Sequence, residues 1–188
     1  MISENTSEAI KVVEEILSDF DKHFNNSLDI LSSRKLGIRN NSKKTSSLYS
    51  ELLNLMEVGK ADFTHTFKSL KAIFIKEDNS IFLDNFRNLN EENQHALSNW
   101  LGDWKKFLEE NNDSKTKVIE LLNASNPEFI MRNHLVEKSI RKATKGDFSD
   151  FEILSDLLLK PFEMKEKYEA FYKAPTDREV VHQTFCGT

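Results

Sequence analysis

Few residues in this chain have the type and spacing that metal or nucleophilic chemistry requires. Glu92 and His95 form a Glu-x-x-His unit, which di-iron helical bundles use in pairs together with two further glutamates. No two of the five histidines have the i, i+4 spacing of a helical zinc site. We therefore interpret Glu92 and His95 as neighbours on a solvated helix face, and we predict no metal site.

The sequence also gives no sign of a nucleotide site or an activated nucleophile. The five glycines are isolated rather than grouped in a phosphate-binding loop, and we interpret them as residues that end helices. No Ser, Cys or Lys can be assigned a base, because the partners of such a group converge only in the folded chain. We predict no catalytic and no cofactor-binding residue.

Arg132 and Asn133 are the polar residues with the most distinctive setting. We predict a helix with Pro127 at its first position, in which Arg132 lies three residues after Phe129 and four before Val136. An arginine on or beside such an apolar stripe should be partly buried and paired with a carboxylate or with backbone carbonyls. Asn133 shares this edge. Two interpretations stay open: a structural clamp within the fold, or a contact with a partner protein or domain.

Helices are predicted from end to end, because apolar residues recur at steps of three and four and only three prolines interrupt them. Gly37 is expected to end a long first helix, and Asp62 and Asn90 are expected to cap two later ones. We predict an all-α fold: a compact array of about seven to eight amphipathic helices in a single domain over residues 1–188, with an irregular C-terminal tail. The first helix carries an apolar stripe of Ile10, Val13, Leu17, Phe20, Phe24, Leu28 and Leu31.

Composition narrows the functional class. The net charge is −5, which is unlike the basic surface that nucleic-acid binding favours. No apolar stretch approaches the roughly 20 residues that span a bilayer, and the polar N-terminus does not resemble a secretory signal. A single cysteine excludes an internal disulfide framework. We expect a soluble, cytoplasmic protein that binds neither nucleic acid nor membrane.

Four blocks of the sequence together resemble one known protein family. The run Asn126-Pro127-Glu128-Phe129-Ile130-Met131-Arg132-Asn133-His134-Leu135 is similar to the family's Asn-Pro-x-aromatic-x-x-Arg-Asn-x-Leu signature. It is followed, as in that family, by a second block that runs from Lys145-Gly146-Asp147-Phe148-Ser149 to Leu158 and Pro161-Phe162. Upstream, Lys35-Leu36-Gly37 and Ala61-Asp62-Phe63-Thr64-His65-Thr66-Phe67 resemble two further family blocks. The four blocks extend over most of the chain in the order that the selenoprotein O family has them, and this family, also called the SelO or YdiU family, is the one that the sequence resembles.

The resemblance implies part of an enzyme. Members of this family are kinase-like proteins that transfer AMP from ATP to hydroxyl side chains of other proteins. Their ATP and metal ligands lie in a kinase-like region that precedes everything resembling this chain, so no catalytic residue is carried over. The order of Gly146-Asp147-Phe148 also differs from the kinase Asp-Phe-Gly metal motif. ATP and Mg²⁺ are expected only together with the missing kinase-like domain.

Cys186 is the one position at which the resemblance concerns reactive chemistry. Family members carry a cysteine or selenocysteine close to the C-terminus, typically followed by small hydroxyl residues, whereas this chain ends Cys186-Gly187-Thr188. An accessible thiol in a tail is suited to forming a mixed disulfide. A redox role and an unreactive tail thiol are equally compatible with the sequence.

The sequence therefore predicts the C-terminal, non-catalytic helical part of a SelO-type adenylyltransferase. In the complete enzyme this part would support or regulate the kinase-like domain, with Arg132 and Asn133 helping to hold that contact and Cys186 responding to redox conditions. The kinase-like domain, or a protein encoded upstream, is the expected partner. The alternative is a free-standing helical interaction module derived from that family.

Overall fold

The structure is a computed structural model that describes residues 6–76, 79–111 and 114–181. Within these ranges the regular structure is entirely helical, so the predicted all-α array is confirmed. Eight α-helices are followed by one 3₁₀ helix: α1 (Thr6–Lys35), α2 (Lys43–Val58), α3 (Phe63–Lys76), α4 (Ser80–Leu83), α5 (Glu91–Glu110), α6 (Lys115–Ser125), α7 (Asn133–Ala143), α8 (Ser149–Leu159) and the 3₁₀ helix (Glu166–Tyr172). No helix in the described ranges is long and apolar enough to cross a membrane.

Short polar residues begin the helices as their sequence positions predict. The Asp62 side chain accepts a hydrogen bond from the backbone N–H of His65 at 2.9 Å, and Asn90 accepts one from Asn93 at 2.8 Å. Each satisfies an N–H group that has no partner within its own helix. Gly37 follows α1 with φ +73°, the left-handed conformation that glycine adopts without strain. These three predicted helix ends are confirmed.

The segment after α6 is not a helix, and the prediction that Pro127 begins one is wrong. Asn126 ends α6 with extended backbone angles, as expected for a residue before proline. The chain then stays non-helical until Asn133, where α7 begins. The backbone N–H of Phe129 donates to the carbonyl of Pro161 at 3.0 Å, so this segment bonds to the chain beyond α8 instead of to itself.

The larger of two buried clusters lies between α2, α3, α4, α5, α6 and the residues that follow α1. The indole rings of Trp100 and Trp104 stack with their centroids 6.0 Å apart. Their N–H groups donate to the carbonyls of Leu48 and Leu36 at 2.8 and 2.9 Å. A buried indole needs such a partner. Both tryptophans are therefore core residues with their polar groups satisfied.

The smaller buried cluster joins the segment after α6 to α7, α8 and the 3₁₀ helix. On α8 only Leu154 and Leu157 of the large apolar residues are buried, whereas Phe151, Leu158 and Leu159 are exposed. The large apolar residues of α8 are therefore divided between the smaller cluster and the protein surface. The cluster consists of Phe129, Leu135, Leu154, Leu157 and Tyr172.

Most of α1 lies outside both clusters. Every residue from 10 to 28 is exposed, and contact with the rest of the fold begins near Asp29. There the Asp29 carboxylate accepts a hydrogen bond from Ser46 of α2 at 3.0 Å, and its carbonyl accepts one from Ser33 at 2.6 Å. Residues 10–28 of α1, about 28 Å of helix at 1.5 Å per residue, thus project beyond the two buried clusters.

Two glycines provide a matched test of the packing. A Cβ atom on Gly59 would lie 2.5 Å from a ring carbon of Phe86, so Gly59→Ala should lower the free energy of unfolding by about 1–3 kcal/mol. Gly102 lies inside α5, contrary to the prediction that glycines end helices, and a Cβ there meets nothing within 4 Å. Gly102→Ala should raise the free energy of unfolding by about 0.5–1 kcal/mol. Urea denaturation measures the free energy of unfolding of each variant. Equal changes in the two variants would contradict the close contact between Gly59 and Phe86.

Candidate functional site

Polar side chains connect the two buried clusters, and we name this set the polar junction. It forms where the start of α3 faces the non-helical segment after α6 and the end of the 3₁₀ helix. Three kinds of contact compose it: a paired carboxylate and guanidinium, a Lys–Glu ion pair, and a hydrogen bond from an imidazole to a backbone carbonyl. Its members are Asp62, His65, Lys68, Glu128, Arg132 and Tyr172.

Arg132 and Asp62 form the central contact of the polar junction. One guanidinium NH₂ group donates to Oδ2 of Asp62 at 2.7 Å and the other donates to Oδ1 at 3.0 Å. The two side chains are only 11% and 18% exposed. Parallel hydrogen bonds of this kind give strength and fix the orientation of both groups. Asp62 therefore caps α3 and binds the segment after α6 at the same time.

The surroundings of Asp62 favour its ionised form. Burial by itself raises the pKa of this carboxyl, but the hydrogen bonds from Arg132 and from the His65 backbone N–H, together with the positive charge of Arg132, lower the pKa by more. The net result is a pKa below the usual value for aspartate. Asp62 is thus held as a carboxylate whose two oxygens are both engaged.

The remaining members of the polar junction are paired as well. The imidazole Nε2 of His65 lies 2.7 Å from the carbonyl oxygen of Tyr172, which can only accept, so Nε2 carries a proton. Lys68 forms an ion pair with Glu128, and its Nζ lies 5.7 Å from the centre of the Tyr172 ring. Each contact joins α3 to a part of the smaller cluster or the segment leading to it.

A second polar contact ties the end of α1 to the end of α6. The Nζ of Lys35 donates to the carbonyl of Ser125 at 3.1 Å, and the Asn126 amide donates to the carbonyl of Lys35 at 2.9 Å. Burial lowers the pKa of Lys35. Its ammonium also lies 5.5 and 5.3 Å from the ring centres of Phe63 and Phe67. The Lys-Leu-Gly, Asp-Phe-Thr and Asn-Pro blocks of sequence therefore meet in one region.

The other residues singled out in the sequence lie away from this region or outside the described residues. Asn133 is exposed at the first position of α7. Glu92 and His95 are exposed on α5, and Cys186 lies outside the described residues. The roles of Asn133 in docking and of Cys186 in redox chemistry stay predictions.

Sequence reasoning missed two features. The first is Asp62 as the partner of Arg132, because the two residues are 70 positions apart and no local pattern connects them. The second is another Glu-x-x-His spacing at Glu179 and His182. Glu179 accepts hydrogen bonds from the backbone and the hydroxyl of Thr176, and His182 lies outside the described residues.

The chemistry of the polar junction is that of a structural contact. Binding of a metal–nucleotide needs carboxylate or amide oxygens free to coordinate Mg²⁺ and cations free to meet phosphates. Here Asp62 is paired with Arg132, and Glu128 is paired with Lys68. Among the described residues, no group of three or more His, Cys, Asp or Glu could hold a metal ion. The residues of the polar junction therefore do not fit ATP or Mg²⁺.

Loss of the central pair should destabilise the fold. Arg132→Ala is expected to lower the free energy of unfolding by about 2–3 kcal/mol, because it leaves the Asp62 carboxylate mostly buried without its counter-charge. In the Asp62→Asn background the same change should cost much less, since Asn keeps the capping oxygen but not the charge. Chemical denaturation of the wild type, the two single variants and the double variant completes a double-mutant cycle and measures the coupling free energy between Asp62 and Arg132.

Arg141→Ala is the matched control for this cycle. Arg141 is exposed, and within the part of the chain that the structure describes its side chain donates only to the Glu137 carbonyl, one turn back on α7. Its removal should therefore change the free energy of unfolding by no more than about 0.5 kcal/mol. Equal effects of Arg132→Ala and Arg141→Ala would show that the central pair does not hold the fold together.

The pH dependence follows from the direction of the Asp62 shift. The pKa of Asp62 is lower in the folded chain than in the unfolded chain. The stabilisation that ionised Asp62 gives to the fold is therefore fully present above about pH 4, and it is lost as the pH falls through the folded pKa. The stability difference between wild type and Asp62→Asn should therefore be constant from about pH 5 to about pH 7 and shrink below about pH 4. A difference that grew on acidification would contradict the pairing. Urea denaturation across this range provides the measurement.

Comparison with known proteins places this helical array in a family. The sequence profile of the family described as protein adenylyltransferase SelO matches residues 5–159, from the start of α1 to the end of α8. The chain is similar to the protein nucleotidyltransferase YdiU of Bacillus thuringiensis subsp. konkukian, with 31% identity over 189 residues. It is also similar to the protein of the same name from Rhizobium meliloti, with 40% identity over 170 residues.

These relatives are much longer than this chain. The Bacillus alignment covers 100% of this chain and 36% of the relative, and the Rhizobium alignment covers 90% of this chain and 33% of the relative. The chain therefore spans about a third of the length of the curated relatives it matches. The family profile covers more than half of the chain, as do both relatives. The chain belongs to the protein adenylyltransferase SelO family.

Proposed function

We propose that this chain is the non-catalytic helical part of a SelO-type protein adenylyltransferase, acting in the cytoplasm. In the complete enzyme, AMP passes from ATP to a hydroxyl group of a target protein. The binding of ATP and Mg²⁺ belongs to the kinase-like part that lies outside this chain. The helical part supports that domain or regulates it.

One observation carries this proposal: alignments that cover 100% and 90% of this chain cover only 36% and 33% of two relatives that are named nucleotidyltransferases. Such a protein needs a nucleotide site somewhere along its length. Roughly two thirds of each relative has no counterpart here, so there is ample room for that site outside the matched region.

The pairing of charges within the chain supports the same division of labour. The cations and carboxylates that meet at the polar junction neutralise one another and fix α3 against the smaller cluster. A nucleotide-transfer site instead keeps cations and metal ligands directed at its substrate. The arrangement suits a rigid body that holds its shape beside a catalytic domain.

The direct test is calorimetric titration of the 188-residue chain with ATP and Mg²⁺. No saturable heat is expected up to about 1 mM ATP, the upper end of typical KM values. The full-length Rhizobium YdiU protein, titrated in the same buffer, serves as the positive control. Saturable binding to the isolated chain would mean that the helices build a nucleotide site, and the proposal would be wrong.

A further inference from the structure

Among the described residues, α1 carries more exposed large apolar residues than any other helix, and most of them form one stripe. Its residues follow each other at steps of three and four, so they form one continuous face along the helix. Each is between 46% and 62% exposed. We name this surface the α1 face; it comprises Ile10, Val13, Leu17, Phe20, Phe24, Leu28 and Leu31.

One edge of the α1 face is acidic. At about 100° per residue, Glu14 and Asp21 lie about 60–80° from the centre of the face, one helical heptad apart. Glu15 and Asp19 lie on the far side of the helix. A surface that covers the face is thus expected to carry Lys or Arg opposite Glu14 and Asp21, and apolar residues opposite the stripe.

The α1 face belongs to the region that the family shares. The family profile matches from residue 5 onward, so it includes the whole of α1. The Bacillus relative aligns with all of this chain and extends well beyond it. A long apolar face within a shared region needs a covering surface, because exposed apolar patches of this size are rare on monomeric proteins. The relatives have that surface available in the two thirds of their length with no counterpart here.

A second copy of this chain is a poorer occupant of the face. If two α1 helices paired antiparallel about Leu17, Glu14 of one would lie near Asp21 of the other. Like charges along such a seam destabilise it. The same acidic edge favours a partner surface of opposite charge.

We propose that the α1 face docks against the kinase-like part of a SelO-type protein, on an apolar surface bordered by Lys or Arg. This inference rests on the proposed function and adds to it the place and the chemistry of the contact. Burial of the stripe provides the affinity, and the acidic edge sets the orientation.

The test uses a full-length chimera in which this chain replaces the matched third of the Rhizobium YdiU protein. Val13→Gln with Leu17→Gln removes apolar surface from the α1 face without adding charge or disfavouring a helix. In the isolated chain both side chains are exposed, so the melting temperature should be unchanged. In the chimera the same pair should lower AMP transfer to protein on the order of tenfold or more and lower the resistance to urea.

Val12→Gln is the matched apolar control. Val12 is 50% exposed but lies about 120° from the centre of the α1 face, so this change should leave the chimera unaffected. Equal activity and equal urea resistance in the Val13/Leu17 variant and the unmodified chimera would overturn the docking inference and leave the proposed function standing. An unmodified chimera that folds but transfers no AMP would overturn both.

A charge reversal tests the chemistry of the partner. Glu14→Lys with Asp21→Lys should reduce AMP transfer by the chimera, with a larger loss at low salt, whereas Glu15→Lys with Asp19→Lys makes the same change in net charge and should have little effect. Equal losses of AMP transfer from both charge-reversed pairs would overturn the basic border of the docking surface.

The oligomeric state of the isolated chain tests the alternative occupant. A dimer that dissociates on Val13→Gln with Leu17→Gln would identify a second copy as the occupant and overturn the inference.

Discussion

The fold depends on the bidentate contact between Asp62 and Arg132. The larger cluster is built from helices that precede residue 126, and the smaller one from the chain after it. The parts meet through polar groups, and this contact is the most enclosed ion pair with two parallel hydrogen bonds among the described residues. Because Asp62 also caps α3, one carboxylate sets both where a helix begins and how the two clusters are joined. A mostly buried carboxylate is tolerated only while such partners remain.

Features decided by neighbouring residues could be predicted from the sequence. Asp62 and Asn90 precede apolar periodic runs, and each makes the capping bond that this position predicts. Trp100 and Trp104 lie four residues apart on a strongly periodic helix, and both are buried. In each case the evidence lies within one or two helical turns, so the pattern and the structure depend on the same local contacts.

Features decided by distant residues could not be predicted in the same way. Arg132 pairs with the carboxylate of Asp62, which is 70 positions away in the sequence. Arg132 does not lie on the apolar stripe of a helix, because the segment before α7 is non-helical and its Phe129 N–H bonds to the carbonyl of Pro161. The spacing of Phe129, Arg132 and Val136 fits a helix, yet pairing between separate segments outweighed that local preference. The residue type of Arg132 correctly predicted a carboxylate partner, whereas its spacing from Phe129 and Val136 wrongly predicted a helix.

The α1 face shows a different limit of sequence patterns. Its periodicity is the same as that of a helix packed in a core, and the pattern alone does not say which surface covers it. Charged and apolar side chains differ in how far they are engaged within the described chain. The charged side chains at the polar junction pair with one another, whereas the apolar side chains of the α1 face remain exposed. Catalysis requires polar groups available to a substrate, and docking requires apolar surface available to a partner. Among the described residues, this distribution of free and paired groups supports the proposal that the chain binds the larger part of the protein and leaves the chemistry to it.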